Sequence, residues 1–431
     1  MNNREIARYG LSCLIKAGAD KAQCVLAKSE KRELNVEAGK FSLIRTTYDS
    51  NMNYKAIKDN REGITRSNKT DKDCIEQAAA DALEIATSSQ FDNAYDIAEK
   101  QESKKFYSGS KEPDIDRMFN RLQTFVESVK EKYPKTILEL AILDFTHLNS
   151  YFMNSNGVDF TTSKGIYNFI AMFTSKDEER TSSFNYSGFS TRELEKEFLD
   201  YGTINLLLKQ SSEQLELNTI NEKFTGDIII TPDSLAEFID YFTGIFLRDV
   251  PIISGTSVFK DKLNEQVADS GFTLYSRPIS GEIADNYFVT PDGFEAKDST
   301  IIEKGVLKSF LLSLYGANKT VRERAVNSGN VYVVDPGDQS FDDMVKSVKR
   351  GLLLCRFSGG YPNDNGDFSG VAKNSYYIED GEIKYPTNET MISGNLTELF
   401  MNIKSISKER VNYGDKILPW LLTSGITISG K

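Results

Sequence analysis

Few side chains in this 431-residue chain could do metal or acid–base chemistry. The chain has one histidine, His147, and four cysteines without C-x-x-C spacing. Catalytic zinc usually takes three protein ligands, commonly two or three of them histidines, so one imidazole cannot complete such a site. A catalytic base also needs a positioned partner, and the strand-like run around His147 offers none nearby. We therefore interpret this histidine as a strand residue, and the cysteines (Cys13, Cys24, Cys74 and Cys355) as reduced cytoplasmic thiols.

Carboxylates are the remaining candidates for chemistry. Asp233, Glu237 and Asp240 lie three and four residues apart in a predicted helix, so they share one face. That face could serve a carboxylate-based hydrolase, and an ordinary solvated helix surface is the alternative. The loop Asn363–Asp367 carries oxygen ligands without EF-hand spacing, so we interpret it as a turn. The G-x-x-x-x-G-K match at Gly425–Lys431 has no following helix and cannot cradle a phosphate.

A glycine-rich stretch predicts a possible peptide groove in the second half of the chain. Ser358–Gly370 holds four glycines and a proline, which favour tight loops. Asp380-Gly381 between two short apolar runs predicts a hairpin, and Asn395 is a plausible cap for a helix from about Leu396. The loops could line a groove in which an extended peptide adds to a strand edge, or their glycines could only shape turns. The candidate peptide-binding residues are Gly359, Gly360, Tyr361, Gly366, Asp367, Phe368 and Ser369.

The elements that would position these residues predict an α+β fold. Apolar spacing predicts helices over residues 2–18, 71–86 and 114–132, and a long helix over 191–217 that breaks near Tyr201-Gly202. Alternating runs between them predict an antiparallel, curved sheet with flanking helices. We predict an N-terminal α+β domain, and a β-rich, barrel-like C-terminal domain with short helices. The predicted bounds are 1–221 (segments of about 1–90 and 113–221, joined by a polar linker over 91–113) and 222–431.

Composition excludes several classes of function. The net charge of −11 argues against a nucleic-acid partner, because phosphate binding needs clustered Lys and Arg. The sequence contains no run of 18 apolar residues, so it predicts no membrane span. Charged residues interrupt the first helix, which is typical of an amphipathic helix and not of a signal peptide. The sequence therefore predicts a cytoplasmic protein that binds neither nucleic acid nor a membrane.

Five stretches of the chain occur in a recognisable order: Gly255–Ser257, the run from Pro291 that ends in Ile301–Leu307, Asn327–Asn330, Ser358–Asn402 and Pro419–Gly425. Together they resemble the TldD/TldE family, in which TldE is also called PmbA and which often carries the label "modulator of DNA gyrase". The resemblance extends over most of the chain and is strongest from Gly255 to Gly430. The order and spacing of the stretches are more specific than any one of them.

This resemblance implies a peptidase of small or unfolded polypeptides, built from two branches that pair as a heterodimer. The TldD branch holds zinc through H-E-x-x-x-H on a helix and a distant cysteine. Here Asp240, Tyr241 and Ile245 stand at the His, Glu and His positions, and Lys404–Leu418 contains no cysteine. The chain therefore resembles the TldE (PmbA) branch, with no cofactor of its own and zinc expected only in a TldD-like partner.

The resemblance implies either a TldD-like catalytic subunit or a second copy as the partner, with a peptide as the substrate. The contribution of this chain would be to bind the sister subunit, to form a wall of the cavity and to help hold the peptide. Two other functions stay open at this point. One is a stand-alone peptide- or protein-binding module without proteolysis, and the other is the carboxylate hydrolase described above.

Overall fold

A computed structural model describes residues 1–430 as two β-sheets with helices packed against them. The first half of the chain forms α1 (Asn3–Ala17), β1 (Lys21–Glu37), β2 (Lys40–Lys58), β3 (Arg61–Ser67), α2 (Lys72–Ser88), β4 (Lys104–Ser108), α3 (Ile115–Lys132), β5 (Thr136–Asn154), β6 (Asp159–Ser175), β7 (Asn185–Thr191) and α4 (Ile204–Glu213).

The N-terminal sheet is antiparallel except at one edge. Its strand order is β3-β2-β1-β5-β6-β4, with β7 also paired to β6, and only β4 runs parallel to its neighbour. Helices α1 and α2 bury their apolar faces against one end of the sheet, and α3 and α4 against the other. Side-chain caps begin three of these helices: Asn2, Asp71 and Asp114 each accept a backbone N–H of the first turn.

The second half forms a 13-stranded sheet around one long helix. Its elements are β8 (Lys223–Ile230), α5 (Pro232–Phe246), α6 (Asp249–Ser254), β9 (Leu274–Ser276), β10 (Ser299–Glu303), β11 (Val306–Leu307), α7 (Leu314–Thr320), β12 (Tyr332–Val334), α8 (Phe341–Ser347), β13 (Arg350–Leu354), β14 (Arg356–Gly359), β15 (Asp367–Lys373), β16 (Tyr376–Glu379), β17 (Glu382–Pro386), β18 (Thr390–Asn395), α9 (Leu396–Met401), β19 (Ile403–Asn412) and β20 (Ile417–Ser429).

The C-terminal core is built around α5. Phe238, Phe242 and Phe246 recur at a spacing of four, are buried, and pack among the apolar residues of the surrounding strands. Strand β8 lies between β13, which is parallel to it, and β20, which is antiparallel. This arrangement fixes α5 over the middle of the sheet.

The α+β class, the antiparallel N-terminal sheet and the β-rich C-terminal region are confirmed, whereas the barrel-like expectation is wrong. Over residues 1–430 the C-terminal strands form no closed barrel. Strand β20 changes partners along its length, pairing with β12, β19, β8 and β18. The sheet therefore forks at β20, and its outer strands β11 and β17 do not meet.

Two local predictions also need correction. The expected linker over 91–113 contains β4, an edge strand in which Phe106 turns inward and packs on Phe160. The helix expected over 191–217 does break near Tyr201-Gly202, where Gly202 adopts a φ of +54° that a right-handed α-helix does not contain, but apart from a short 3-10 turn only the ten residues of α4 are helical. By contrast, Asp380-Gly381 forms the predicted hairpin turn with positive φ at both residues, and Asn395 caps α9.

Candidate functional site: a cleft between the two sheets

A cleft of about 710 Å³ lies between the two sheets. One wall comes from β6 and β7 of the N-terminal sheet. The opposite wall comes from the first half of α5, from β14, and from the turn at 413–416 between β19 and β20. The cleft is therefore formed only when both halves of the chain are folded together.

The outer face of α5 presents three carboxylates to this cleft. The helix begins with Pro232 after Thr231, an arrangement that suits the first helical position. Asp233, Glu237 and Asp240 all line the cleft, as their predicted common face requires. The carboxylate face of α5, for which an ordinary solvated surface was the alternative interpretation, thus forms one wall of a concave site.

Asp233 is the most enclosed of the three carboxylates. Burial raises the pKa of Asp233 to about 6, although the Thr203 hydroxyl donates a hydrogen bond to its Oδ1 at 2.8 Å and partly offsets this effect. Ser187 of β7 continues the network, with its hydroxyl 3.2 Å from that of Thr203. The Tyr413 hydroxyl lies beside the same carboxyl. Asp233 therefore links its own helix, α5, to β7 and to the segment before α4.

Asp240 and Glu237 differ in their surroundings. The Asp240 side chain is open to the cleft, yet the surrounding walls desolvate it enough to raise the pKa of this carboxyl above its usual value. Glu237 accepts a short hydrogen bond from the Tyr241 hydroxyl. Asp240 is consequently the carboxylate of the three that most freely faces an incoming ligand.

The other two positions of the degenerate metal motif are already engaged in structure. Ile245 is 6% exposed and belongs to the core around α5. The Tyr241 ring packs edge-on against Tyr361, with ring centroids 5.2 Å apart, while its hydroxyl is bound to Glu237. Neither residue has a free donor group directed at a common point with Asp240.

The glycine-rich loops separate into two groups in space. Gly359 lines the cleft at the end of β14, Gly360 follows in open space, and the exposed Tyr361 reaches back over Gly244 of α5. These three residues lie at the mouth of the site, and their part in peptide binding stays a prediction.

The second group supports β15. Gly366 packs against Phe246 and Leu396, and Phe368 is buried against Phe238 at 5.4 Å between ring centroids. Asp367 accepts hydrogen bonds from the side-chain amides of Asn363 (3.1 Å) and Asn395 (2.8 Å). Ser369 is exposed on β15 outside the cleft lining. These four residues position the strand next to β14.

Several cleft residues were not singled out from the sequence. The Arg356 guanidinium stacks on Phe184 and Tyr186, 4.5 Å from each ring centroid, and Lys416 and Tyr413 enter from the turn before β20. They come from segments far apart in the chain, and each is an ordinary residue in its local pattern. No local signal could have found them.

The histidine and the one cysteine near the site do not change this description. His147 lies on β5, with its Nε2 3.0 Å from the Ser163 hydroxyl, and is not part of the cleft lining. Cys355 lines the cleft, but burial raises the pKa of its thiol well above the usual value. A protonated, buried thiol is a poor nucleophile.

Comparison with known proteins identifies the domain that carries α5 and β14. Residues 223–430 match the model of the PmbA/TldA metallopeptidase C-terminal domain. A metalloprotease PmbA homolog of Buchnera aphidicola subsp. Baizongia pistaciae is 28% identical over 248 residues, covering 53% of this chain and 54% of that protein. The chain thus spans about half the length of the curated relatives it matches.

Solved structures extend the likeness in fold to the whole chain. TldE from Thermococcus kodakarensis is 19% identical and superimposes with a TM-score of 0.83 over 99% of both chains. A proposed modulator of DNA gyrase from Bacteroides thetaiotaomicron is 18% identical, with a TM-score of 0.88 over 100% of this chain and 99% of that one. At these identities the likeness shows the fold alone.

The domain match over residues 223–430, the relatives and the fold together support the TldD/TldE (PmbA) family for this chain. The curated relatives of this family are named metalloproteases, so a metal site is the first property to test in this chain. Within residues 1–430, no three His, Cys, Asp or Glu side chains converge closely enough to hold a metal ion.

None of the helices between residues 1 and 430 combines the length and the apolar character that crossing a bilayer requires.

Proposed function

We propose that this chain is a TldE/PmbA-like subunit of a cytoplasmic metalloprotease and that it holds no catalytic metal itself. The zinc and the hydrolysis belong to a TldD-like partner subunit. This chain walls the cleft and helps to hold an extended peptide. Small or unfolded peptides are the proposed substrates, as in the maturation of a precursor.

One observation carries the proposal: the burial of Ile245 at the second histidine position of the motif. A buried isoleucine offers no ligand, and replacing the general-base glutamate by a hydrogen-bonded tyrosine removes the group that would activate water. Asp240 alone cannot hold a metal ion, because the other motif positions supply no ligand. No metal-bound water would therefore be activated at this position. The cleft therefore supports binding better than cleavage.

An open strand edge supports the binding role. Strand β14 pairs with β15 on one side, and within residues 1–430 its other side has no strand partner and faces the cleft. An extended peptide can add to such an edge by main-chain hydrogen bonds, with little demand on its sequence. The exposed carboxylate of Asp240 and the ring of Tyr361 would flank it.

Digestion of an unfolded protein such as casein tests whether hydrolysis requires the metal-bearing partner subunit. We expect no cleavage by the purified chain supplied with zinc, and chelator-sensitive cleavage when a relative that retains H-E-x-x-x-H is added. The matched control replaces the glutamate of that motif by glutamine in the partner, which should abolish the activity of the mixture. Chelator-sensitive cleavage by the isolated chain would overturn the proposal.

The same mixture separates this proposal from the stand-alone binding module. A stand-alone binding module would bind peptide both alone and in the mixture with the metal-bearing relative. It would not change the proteolytic activity of that relative. Metal analysis of the purified chain addresses the carboxylate hydrolase, because stoichiometric bound metal would require ligands that we do not find in the described residues.

A further inference from the structure

A second cavity, of about 480 Å³, lies on the face of the N-terminal sheet opposite α1 and α2. Its floor comes from five neighbouring strands, β3, β2, β1, β5 and β6, and its roof comes from the turn at 289–291 in the second half of the chain. None of its lining residues also lines the cleft between α5 and β7. The cavity is therefore a separate site, and it has the size of an ordinary small-molecule pocket.

The roof turn is held in place over the sheet. Gly293 packs so closely on Phe152 of β5 that a Cβ on this glycine would lie 2.4 Å from the ring. The Asp292 carboxylate accepts hydrogen bonds from the Arg324 guanidinium at 2.7 and 2.8 Å and from the Thr290 hydroxyl at 2.6 Å. The cavity is therefore formed before any ligand enters, as most ligand pockets are.

One row of side chains crosses the floor from a cation to an aromatic surface. In strand order from β3 to β6, cross-strand pairing gives the row Arg66, Asn53, Val25, Phe152 and Phe160. The row covers four strand spacings of about 4.8 Å each, or about 19 Å between its end Cα atoms. Its β5–β6 end is apolar, and its β2–β3 end is polar.

The apolar end of the cavity suits an aromatic ring. Phe152 and Phe160 are buried, and Val25 and Val289 pack against them. Pro291 lines the cavity from the roof. A flat apolar group between this roof and this floor would contact carbon atoms on both sides, which is the usual environment of a buried ligand ring.

The polar end contains a buried amide without a protein partner. Gln23 of β1 lies opposite Lys55 of β2 and is only 8% exposed. Its side-chain amide lines the cavity and forms no hydrogen bond with any group of residues 1–430, and the same is true of the Asn53 amide. Burying an amide without a partner is unfavourable. These two amides are therefore satisfied only by water or by a ligand that enters the cavity.

The charges at this end favour an anion. The lining contains two cations, Lys55 and Arg66, and no carboxylate. Glu62 neutralises Lys55, whose Nζ lies 2.6 Å from its carboxylate. Arg66 is exposed, and within the described part of the chain it forms no ion pair. One guanidinium therefore remains for a ligand, which matches a single carboxylate better than a doubly charged phosphate.

We infer that this cavity binds a small aromatic carboxylate. The ring would lie between the roof and the two phenylalanines of the floor. The carboxylate would accept hydrogen bonds from the Gln23 and Asn53 amides and from the Arg66 guanidinium. Two strand spacings, about 10 Å, separate Phe152 from Asn53, and a ring joined to its carboxylate by two carbon atoms spans such a distance. A free aromatic acid and the carboxyl end of a short peptide share this chemistry.

Calorimetric titration of the purified full chain with 3-phenylpropionate tests the ligand class. We expect a dissociation constant of about 1 mM, which is typical of a well-buried ligand of this size. The matched control ligand is 3-phenylpropionamide, which keeps the ring and the linker but has no charge and should bind at least about tenfold more weakly. N-acetylphenylalanine separates the two sources. Tighter binding than that of 3-phenylpropionate assigns the site to peptide carboxyl ends, and weaker binding assigns it to a free acid.

Two variants separate a ligand contact from a structural role. Arg66→Gln should weaken the binding of 3-phenylpropionate by about tenfold, because it removes a charge-assisted hydrogen bond. Arg117→Gln, at an exposed arginine of α3, is the control and should leave the affinity unchanged. Gln23→Leu should also weaken binding, yet the ligand-free variant should be at least as stable as wild type in chemical denaturation, because its amide has no protein partner to lose.

Three results would overturn the inference: no binding of 3-phenylpropionate up to about 20 mM, equal affinities for the acid and the amide, or equal effects of Arg66→Gln and Arg117→Gln. The cavity is independent of the proposed function, so the two fail differently. A cavity that binds no carboxylate would leave the proposed subunit role intact. Carboxylate binding by a chain that has no effect on a metal-bearing relative would do the reverse.

Discussion

At the scale of single residues, the cleft is governed by how far each carboxyl is removed from water. Asp233 and Asp240 are separated by two turns of α5, yet only Asp233 is held by Thr203 and the wall of β7. Burial without a cation in contact favours the neutral acid, which is why the pKa of Asp233 rises to about 6. At neutral pH the folded protein therefore carries an unfavourable buried charge.

Replacing this carboxyl by an amide should stabilise the protein at neutral pH. Between about pH 4 and 6, folded Asp233 keeps a proton that the unfolded chain has lost, so ionisation of wild type weakens the fold as pH rises. Asp233→Asn cannot ionise and can still accept the Thr203 hydrogen bond. Because water reaches the cleft, we expect a gain of roughly 1–3 kcal/mol in the free energy of unfolding at pH 8.

Urea unfolding at pH 3.5 and pH 8 measures this effect. The gain should nearly vanish at the lower pH, where Asp233 is protonated in both folded and unfolded wild type. Asp364→Asn, at an exposed loop carboxyl, is the control and should behave like wild type at both pH values. An equal shift of Asp233→Asn at both values would mean that the amide acts through packing and not through charge.

At the scale of elements, β14 and β15 can lie side by side only because glycine occurs at their contact. A Cβ on Gly359 would lie 2.5 Å from the Phe357 ring and 2.7 Å from the Ser369 carbonyl oxygen, whereas one on Gly360 would meet nothing within 4 Å. Adjacent glycines thus have different structural roles. Sequence inspection grouped both as candidate peptide contacts.

This contrast gives a matched pair of substitutions. Gly359→Ala should lower the free energy of unfolding by roughly 1–3 kcal/mol, because the ring or the strand must shift to admit the methyl group. Gly360→Ala should stay within about 0.5 kcal/mol of wild type. Chemical denaturation of both variants measures the difference, and equal stabilities would show that the strands adjust without cost.

At the scale of the whole molecule, the cleft depends on contacts between the two sheets. Ser190 of β7 donates its N–H to the Tyr413 carbonyl at 2.7 Å, and Tyr376 donates to Glu213 at 2.7 Å. Lys104 and Glu295 form an ion pair at 2.7 Å. The predicted domain division near residue 222 falls between α4 and β8 and stays a prediction. The two hydrogen bonds and the ion pair join the parts on either side of this division.

Gly414 marks a close approach of the two parts at the cleft. A Cβ there would lie 1.9 Å from the Ser190 carbonyl oxygen, so Gly414→Ala should push β7 away from the turn that carries Tyr413 and Lys416. Gly425 has a similar positive φ, +88° against +92°, but its nearest neighbour would be a side chain at 3.6 Å. Gly425→Ala therefore reports the cost of backbone strain alone.

We expect Gly414→Ala to be less stable than Gly425→Ala by about 2 kcal/mol, because only the first adds a clash to the strain. Thermal unfolding monitored by circular dichroism measures both. If the two variants unfold together, the approach of the two sheets at Ser190 is not a constraint on the fold.

The sequence by itself determined the features that depend on residue type and on near neighbours. Because the chain has one histidine, it cannot supply two imidazole ligands to a metal ion in any fold. The cap at Asn395 and the turn at Asp380-Gly381 were predictable, because each depends on backbone geometry within a few residues. The family resemblance likewise came from the order of short local patterns.

Only the tertiary structure decided which of these features meet. The cleft joins β7 to α5 and to the turn before β20, and no local pattern records that approach. The forking of the C-terminal sheet depends on β20 changing partners. Burial and strand pairing are properties of distant segments brought together, so residues that look ordinary in sequence acquire their chemistry only in the folded molecule.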